Sequence, residues 1–190
     1  MNFLGHLYFS NNNLDLMVAN LFGDFCKGKS YLNHPIEVQK GVLLHRAIDS
    51  FIDNHDAVRE IRKKLYAPLP KVSGIVIDLY FDHLLAKNWQ TFHHRTLTDF
   101  LVLFYKHTKT PELTYPSDFL GFIKKLRESK WMNYYASEFG FQKSCESVSR
   151  RLSFESELTN APSLIAPYKN DLFDAFKIYM KDAQIEFITS

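Results

Sequence analysis

Glycine and proline are scarce in this chain of 190 residues, which has only seven of each. Folds that are built from many short strands need these two residues at their turns. The composition therefore disfavours an all-β protein. It favours helices, and the abundant aromatic residues, with 17 Phe and 10 Tyr, are sufficient for a packed interior.

Cysteine and long apolar runs are also rare. Cys26 and Cys145 stand far apart without CxxC spacing, so neither a disulfide framework nor a thiolate zinc site is indicated, and we expect two buried, reduced thiols. No segment approaches the roughly 18 apolar residues of a membrane span, and His6 and Asp15 interrupt the amino-terminal segment. We therefore expect a cytoplasmic protein that does not bind membranes.

The net charge is low, at +2. Such a balance argues against a protein that grips nucleic acid phosphates over a broad surface. The length is typical of one domain, so we expect residues 1–190 to form a single domain.

The spacing of apolar residues is helical between short breaks. We therefore predict an all-α fold, a compact multi-helix bundle. The predicted helices span residues 2–10, 14–26, 35–53, 55–66, 72–90, 96–108, 116–137, 140–158 and 162–187.

Polar residues interrupt the apolar faces of these predicted helices. His45 and Asp49 form an i, i+4 pair that falls between Val42 and Ile52 on the helical wheel. On the predicted helix 72–90, Asp78 and Asp82 share the apolar side. Asp24 and His6 are further cases. The apolar pattern would therefore bury six polar residues: His6, Asp24, His45, Asp49, Asp78 and Asp82.

Burying several carboxylates is costly unless cations, shared protons or a metal ion neutralise them. A mixed set of histidine and carboxylate ligands suits Mn²⁺, Fe²⁺ or Mg²⁺ better than a structural zinc site. Metal-assisted hydrolysis is therefore one hypothesis. Hydrogen-bonded core histidines and aspartates paired with Arg46, Arg59 or Arg62 are the other. His83 lies about 100° around the predicted helix from Asp82, which disfavours a metal shared by the two. Five other histidines carry no comparable signal and are interpreted as solvent-exposed or capping residues: His34, His55, His93, His94 and His107.

Five short motifs carry a family resemblance, in the order Asn2–Leu7, Asn20–Phe25, His45–Asp49, Asp78–His83 and Ser149–Arg151. In these residues the sequence resembles the acyl carrier protein phosphodiesterase family, a branch of the HD-type metal-dependent phosphohydrolases. The likeness is clearest over residues 2–90 and thinner beyond. Gly5 is a departure, because alanine is expected there.

The resemblance implies an HD-domain-like fold and hydrolysis of the phosphodiester that joins 4'-phosphopantetheine to a serine of holo-acyl carrier protein. It implies a divalent ion, Mn²⁺ before Mg²⁺ or Fe²⁺. We assign the leading metal ligands to Asp24, His45 and Asp78, with His6 completing the set. Asp82 would accept a proton from the attacking water, Asp49 would complete or orient the ligands, and Arg46 would neutralise the phosphate.

The partner that the resemblance implies is an acidic carrier protein. If the four inward aspartates are interior, the exterior is more basic than the net charge of +2 suggests. Substrate-binding roles are assigned to Arg150, Arg151, Arg62 and Lys63. Two basic faces are candidate landing surfaces, one formed by Arg59, Arg62, Lys63 and Lys64 and the other by Lys124, Lys125 and Arg127.

Two rival functions remain open. An HD-type hydrolase of a nucleotide or another small phosphoester would use the same metal site. A helical binding module, in which the inward acids form structural ion pairs, would bind no metal and catalyse nothing.

Overall fold

Eleven α-helices make up most of the part of the chain that the structure, a computed structural model, describes: residues 1–109 and 115–189. Within those residues there is no strand, so the all-α prediction is confirmed. The helices are α1 (Phe3–Tyr8), α2 (Leu14–Leu21), α3 (Ile36–Asn54), α4 (Asp56–Leu65), α5 (Ser73–Lys87), α6 (Trp89–Phe92), α7 (Leu97–His107), α8 (Ser117–Ser129), α9 (Glu138–Ser149), α10 (Ala161–Leu164) and α11 (Lys169–Phe187).

Side-chain caps begin several of these helices. Asn13 accepts a hydrogen bond from the Leu16 amide at the start of α2, and Thr96 accepts one from the Asp99 amide at the start of α7. Ser137 does the same for α9 through the amide of Gly140. Each cap satisfies an amide that has no partner within its helix.

Four predicted helices are shorter or interrupted in the structure. The segment 14–26 ends as an α-helix at Leu21 and continues as the 3-10 turn Phe22–Phe25. The segment 116–137 stops at Ser129 because Lys130 adopts the left-handed conformation, with φ of 50°. The segment 140–158 ends at Ser149. The segment 162–187 is divided into α10 and α11, with Pro167 in the short 3-10 turn between them.

The packing of the amino-terminal helices brings together the elements that carry the candidate site. Helix α3 lies along α2 and along the 3-10 turn Phe22–Phe25 that follows α2, while α1 contacts both α2 and α5. Large buried aromatic side chains such as Phe9, Phe81 and Tyr179 fill the core between these helices and α11. Cys26 and Cys145 are buried free thiols, as expected.

Among the described residues, we find no helix that combines the length and the apolar character needed to cross a membrane.

Candidate metal centre

A cleft of about 580 Å³ opens beside the first turns of the fold. Its walls come from α1, the turn Phe22–Phe25, α3 and α5, and residues of α8 and α9 complete it. One part of the lining is polar, with His6, Asp24, Asp49, Asp53 and Asp78. The cleft therefore gathers several of the residues that the sequence analysis singled out.

His6 and Asp49 belong to this polar lining, and the buried His45 lies directly behind them without lining the cleft itself. The Nε2 atom of His6 lies 3.3 Å from Oδ1 of Asp49, and the Nε2 atom of His45 lies 3.1 Å from Oδ2. The two imidazole rings are stacked, with centroids 4.1 Å apart and an interplanar angle of 12°. Two buried imidazoles thus converge on the two oxygens of one carboxylate.

Asp24 approaches the same cluster from the other side of His45. Its Oδ1 atom lies 3.4 Å from Nε2 of His45, so that this nitrogen stands between two carboxylates. Asp24 reaches His45 because Gly23 lets the 3-10 turn press against the imidazole. A Cβ atom at position 23 would collide with the ring of His45.

The electrostatics of the cluster are those of tightly coupled groups. Burial lowers the pKa of His45, but its hydrogen bonds to Asp24 and Asp49 outweigh that effect and raise the pKa to about 9. Burial raises the pKa of Asp49, yet the bonds from His45 and His6 leave it well below the usual value. Burial lowers the pKa of His6, with the neighbouring His45 acting in the same direction.

The donor set of His6, His45 and Asp49 fits a divalent cation. One nitrogen or oxygen atom from each residue lies within 4.8 Å of the others. Ligand atoms around one ion with bonds of about 2.1 Å lie about 3 to 4 Å apart, so small side-chain adjustments suffice. A histidine that ligates a metal usually donates a hydrogen bond through its other ring nitrogen. Here the Nδ1 atoms of both histidines are buried and have no protein partner among the described residues.

Asp78, predicted as a leading metal ligand, lines the same cleft but is not part of the cluster of His6, His45 and Asp49. Its Oδ1 atom accepts a bond of 3.0 Å from the amino group of Met1, and its side chain is 41% exposed. The Met1 side chain lies where a Cβ atom at position 5 would be, at 2.6 Å from that position. The glycine that departs from the family pattern at position 5 therefore makes room for Met1 beside Asp78.

Asp82 is buried, as the apolar pattern predicts, but its carboxylate does not line the cleft. Its two carboxylate oxygens accept bonds from the amides of Leu4 and Gly5, at 2.7 and 3.0 Å, and the residue is only 1% exposed. Burial raises its pKa to about 7. Because both oxygens anchor the start of α1 and the side chain does not line the cleft, the role of proton acceptor for the attacking water is corrected to an anchoring role.

Arg46 is also turned elsewhere. Its guanidinium donates to the carbonyl oxygens of Cys26 and Gly28, at 3.0 and 2.6 Å, and lies over the ring of Tyr31. The predicted role in neutralising the phosphate is corrected to fastening the segment between the 3-10 turn and α3.

Of the other predicted substrate-binding residues, only Arg151 lines the cleft. Arg150 is exposed at the end of α9. Arg62 lies at the rim of the cleft, where its Nη1 atom is 3.5 Å from Oδ1 of the lining residue Asp53. Lys63 instead pairs with Glu60, with 2.6 Å between Nζ and Oε1.

The candidate landing surfaces are only partly free of internal contacts. On α4, Lys64 pairs with Asp171. On α8, Lys124 and Lys125 are exposed, but Arg127 donates to the carbonyl of Thr108. The assumption that four aspartates are interior is wrong, because only Asp82 is buried, Asp49 and Asp78 are half-buried and Asp24 is exposed.

Sequence reasoning missed two features. His55, predicted as a solvent-exposed or capping residue, occupies the cap position between α3 and α4, but its side chain is only 9% exposed and pairs with Asp182 of α11 at 3.1 Å, a partner that no local pattern reveals. The apolar lining of the cleft was also missed, although Phe25 directly follows Asp24 and Phe3 stands one helical turn before His6.

Comparisons with known proteins agree with the motifs. The family model described as acyl carrier protein phosphodiesterase matches residues 1–183. Proteins named acyl carrier protein phosphodiesterase are similar to the chain: one from Yersinia pestis is 33% identical over 141 residues, 72% of this chain and 71% of that protein. One from Salmonella dublin is 30% identical over 136 residues, 71% of this chain and 70% of that protein.

No solved structure matches the chain significantly, so the HD-like character of the fold remains a prediction. The family model spans nearly the whole sequence. The similarity to the relatives, which are named as phosphodiesterases, covers more than two thirds of the chain. This protein therefore belongs to the acyl carrier protein phosphodiesterase family.

Proposed function

We propose that this protein is a metal-dependent phosphodiesterase that hydrolyses the bond between 4'-phosphopantetheine and a serine of holo-acyl carrier protein. The products are the apo carrier and free 4'-phosphopantetheine. Family membership supports the reaction class and the carrier substrate. The cluster of His6, His45 and Asp49 supports a divalent ion, with Mn²⁺ as the first candidate and Mg²⁺ and Fe²⁺ as alternatives.

The three ligands come from two helices, and a fourth candidate comes from the turn Phe22–Phe25. His6 on α1 offers Nε2, His45 on α3 offers Nε2, and Asp49 offers a carboxylate one turn further along α3. Asp24 stands 3.4 Å from His45 and can complete the set. A divalent ion bound there supplies Lewis-acid activation of water and of a phosphoryl oxygen.

The remaining steps are assigned to side chains of the cleft. Asp78, on α5 in the same cleft, is assigned to accept a proton from the attacking water in place of Asp82. Arg151 balances the charge of the phosphoryl oxygens, because a guanidinium matches them in a bidentate way. The water oxygen bonds to phosphorus and the bond from phosphorus to the serine oxygen breaks. The serine oxygen takes up a proton from solvent water, and Asp78 releases its proton to solvent.

The observation that carries the proposal is the convergence of two buried imidazoles on the carboxylate of Asp49, which lines the cleft together with His6. The two imidazoles stack at 4.1 Å, so that each ring presents its Nε2 atom to a different oxygen of Asp49. Two imidazole nitrogens and a carboxylate oxygen close together are a donor set that divalent transition metals bind.

Mass spectrometry of a holo-acyl carrier protein tests the proposal. We expect incubation with the protein and Mn²⁺ to remove the mass of phosphopantetheine, and EDTA to prevent the loss. A panel of nucleotides and small phosphoesters should remain uncleaved. Cleavage of nucleotides with an untouched carrier would point to the rival small-phosphoester hydrolase, and no cleavage with any divalent ion would overturn the proposal.

A further inference from the structure

An aromatic wall forms the second part of the cleft that holds the metal cluster. We define it by Phe3, Phe25 and Phe122, three half-buried side chains that line the cleft. The ring of Phe122 lies 5.3 Å from that of Phe3 and 5.3 Å from that of Phe25. Trp131 extends the array, at 6.1 Å from Phe122.

The position of this wall relative to the metal cluster is fixed by short stretches of sequence. Phe25 directly follows Asp24, and Phe3 lies three residues before His6 on α1, which places both on one side of that helix. Leu79 follows Asp78 and also lines the cleft. Two of the three rings of the wall, those of Phe3 and Phe25, therefore come from elements that also carry groups of the metal cluster.

Half-exposed aromatic side chains gathered in a cleft point to an apolar ligand segment. The wall begins beside carboxylates and imidazoles, and Arg151 lines the same cleft. With the divalent ion of the proposed function bound among the aspartates of the cleft, a matching ligand has one anionic end and an extended, largely uncharged remainder. Within the proposed function, the phosphopantetheine group has this chemistry, because a linear amide arm with apolar carbons follows its phosphate.

The size of the cleft decides which side of the phosphodiester can enter. A volume of about 580 Å³ is in the range of sites for small organic molecules, about 300–1,000 Å³. A folded carrier protein is far too large for it, so the serine side of the bond must remain at the rim. The arm is the only substituent of the phosphate that fits inside.

We propose that Phe3, Phe25 and Phe122 form the binding subsite for the pantetheine arm and that the carrier protein stays outside the cleft. This inference rests on the proposed function for the identity of the ligand. Phe122 is the specificity-determining residue, because it contacts both other rings of the wall and comes from a different part of the chain than the metal cluster.

Isothermal titration calorimetry tests the subsite without requiring turnover. The probes are free 4'-phosphopantetheine and methyl phosphate, and the ratio of their dissociation constants isolates the contribution of the arm. We expect wild type to bind phosphopantetheine at least about tenfold more tightly than methyl phosphate. Phe122→Ala should reduce this ratio about tenfold, and Phe122→Leu should restore part of it.

Two further variants keep the test decisive. Val148→Trp adds volume to the lining of the cleft and should weaken phosphopantetheine more than methyl phosphate, even if Phe122→Ala fails to fold. Phe139→Ala is the matched control, since Phe139 is 60% exposed and lies outside the cleft lining. It should leave the ratio unchanged.

The outcomes separate this inference from the proposed function. A ratio near one in wild type, or equal ratios in wild type, Phe122→Ala and Val148→Trp, would overturn the subsite even if the carrier is hydrolysed. A ratio that falls in both cleft variants supports the subsite, whether or not the carrier loses its prosthetic group in the mass measurement.

Discussion

At the scale of single residues, the cleft separates aspartates that look alike in the sequence. Asp49 faces two imidazole nitrogens, whereas Asp82 accepts hydrogen bonds from two backbone amides and does not line the cleft. Both lie on helices at positions that the apolar pattern marks as inward. Periodicity finds the face on which a carboxylate stands, but the partner that satisfies it depends on side-chain packing between elements.

Asp82→Asn tests the anchoring role. The amide retains one acceptor, so one of the backbone amides of Leu4 and Gly5 loses its partner, which should cost about 1–3 kcal/mol of stability. Urea unfolding measures this loss. A proton acceptor in catalysis would show the opposite signature: unchanged stability with kcat lower by about 100-fold or more.

The protonation of His45 predicts how metal affinity depends on pH. Its pKa of about 9 means that an ion must displace a proton from it at neutral pH. The dissociation constant for Mn²⁺ should therefore fall as pH rises between about pH 6 and pH 8, by up to about tenfold per pH unit. Affinity that does not change over this interval would mean that His45 is not a ligand.

The same pKa predicts a contribution of His45 to stability in the absence of metal. Because the folded value lies above the unfolded value, the stabilisation by Asp24 and Asp49 is complete below about pH 6.5 and is lost as pH rises through about 9. Comparing wild type with His45→Gln by thermal unfolding across this range should show the difference shrinking at high pH. A constant difference would contradict the assignment.

At the scale of elements, the helices were largely predictable and their breaks were not. Apolar spacing gave α3 and α4 within one or two residues of their ends. Lys130 ends α8 through a left-handed conformation that nothing in its residue type requires. The turn Phe22–Phe25 was predicted as part of a continuous helix, yet it brings Asp24 to His45.

Gly23 tests whether this turn positions the metal cluster. Gly23→Ala places a Cβ atom against the ring of His45, so it should displace the ring or the turn and weaken Mn²⁺ binding at least about tenfold. Gly121→Ala is the matched control on α8, where a Cβ atom meets open space. It should leave Mn²⁺ binding intact and raise stability by about 0.5–1 kcal/mol.

Calorimetric titration with Mn²⁺ measures the affinity of both variants, and thermal unfolding measures their stability. Equal Mn²⁺ affinity in Gly23→Ala and wild type would show that close packing of the turn on His45 is not needed for the site.

At the scale of the whole molecule, the cleft joins the two halves of the chain. The family motifs are clearest over residues 2–90, and α1, α3 and α5 contribute the acids and imidazoles from that part. The carboxy-terminal half, in which the family resemblance is weaker, contributes three lining residues: Phe122, Val148 and Arg151. Sequence reasoning found the first group through misplaced polar residues, but apolar residues of the second group carry no such signal.

Charge reversal locates the surface that meets an acidic carrier. Arg62→Glu combined with Lys63→Glu should lower kcat/KM for holo-acyl carrier protein about tenfold at low salt, because Arg62 stands at the rim beside Asp53. Salt should then reduce the rate of the variant less than that of wild type. Lys124→Glu with Lys125→Glu, on the exposed side of α8, provides the comparison. A larger loss in that second variant would place the carrier on α8 instead.

The most direct test of the central claim is the electron paramagnetic resonance signal of Mn²⁺ titrated into the EDTA-treated protein. We predict that wild type binds one tight equivalent and suppresses the signal of free Mn²⁺. His6→Ala, His45→Ala and Asp49→Ala should each weaken that binding at least about 100-fold, while His94→Ala, at an exposed histidine, retains it. Tight binding that persists in all three cluster variants, or no binding by wild type, would contradict the account.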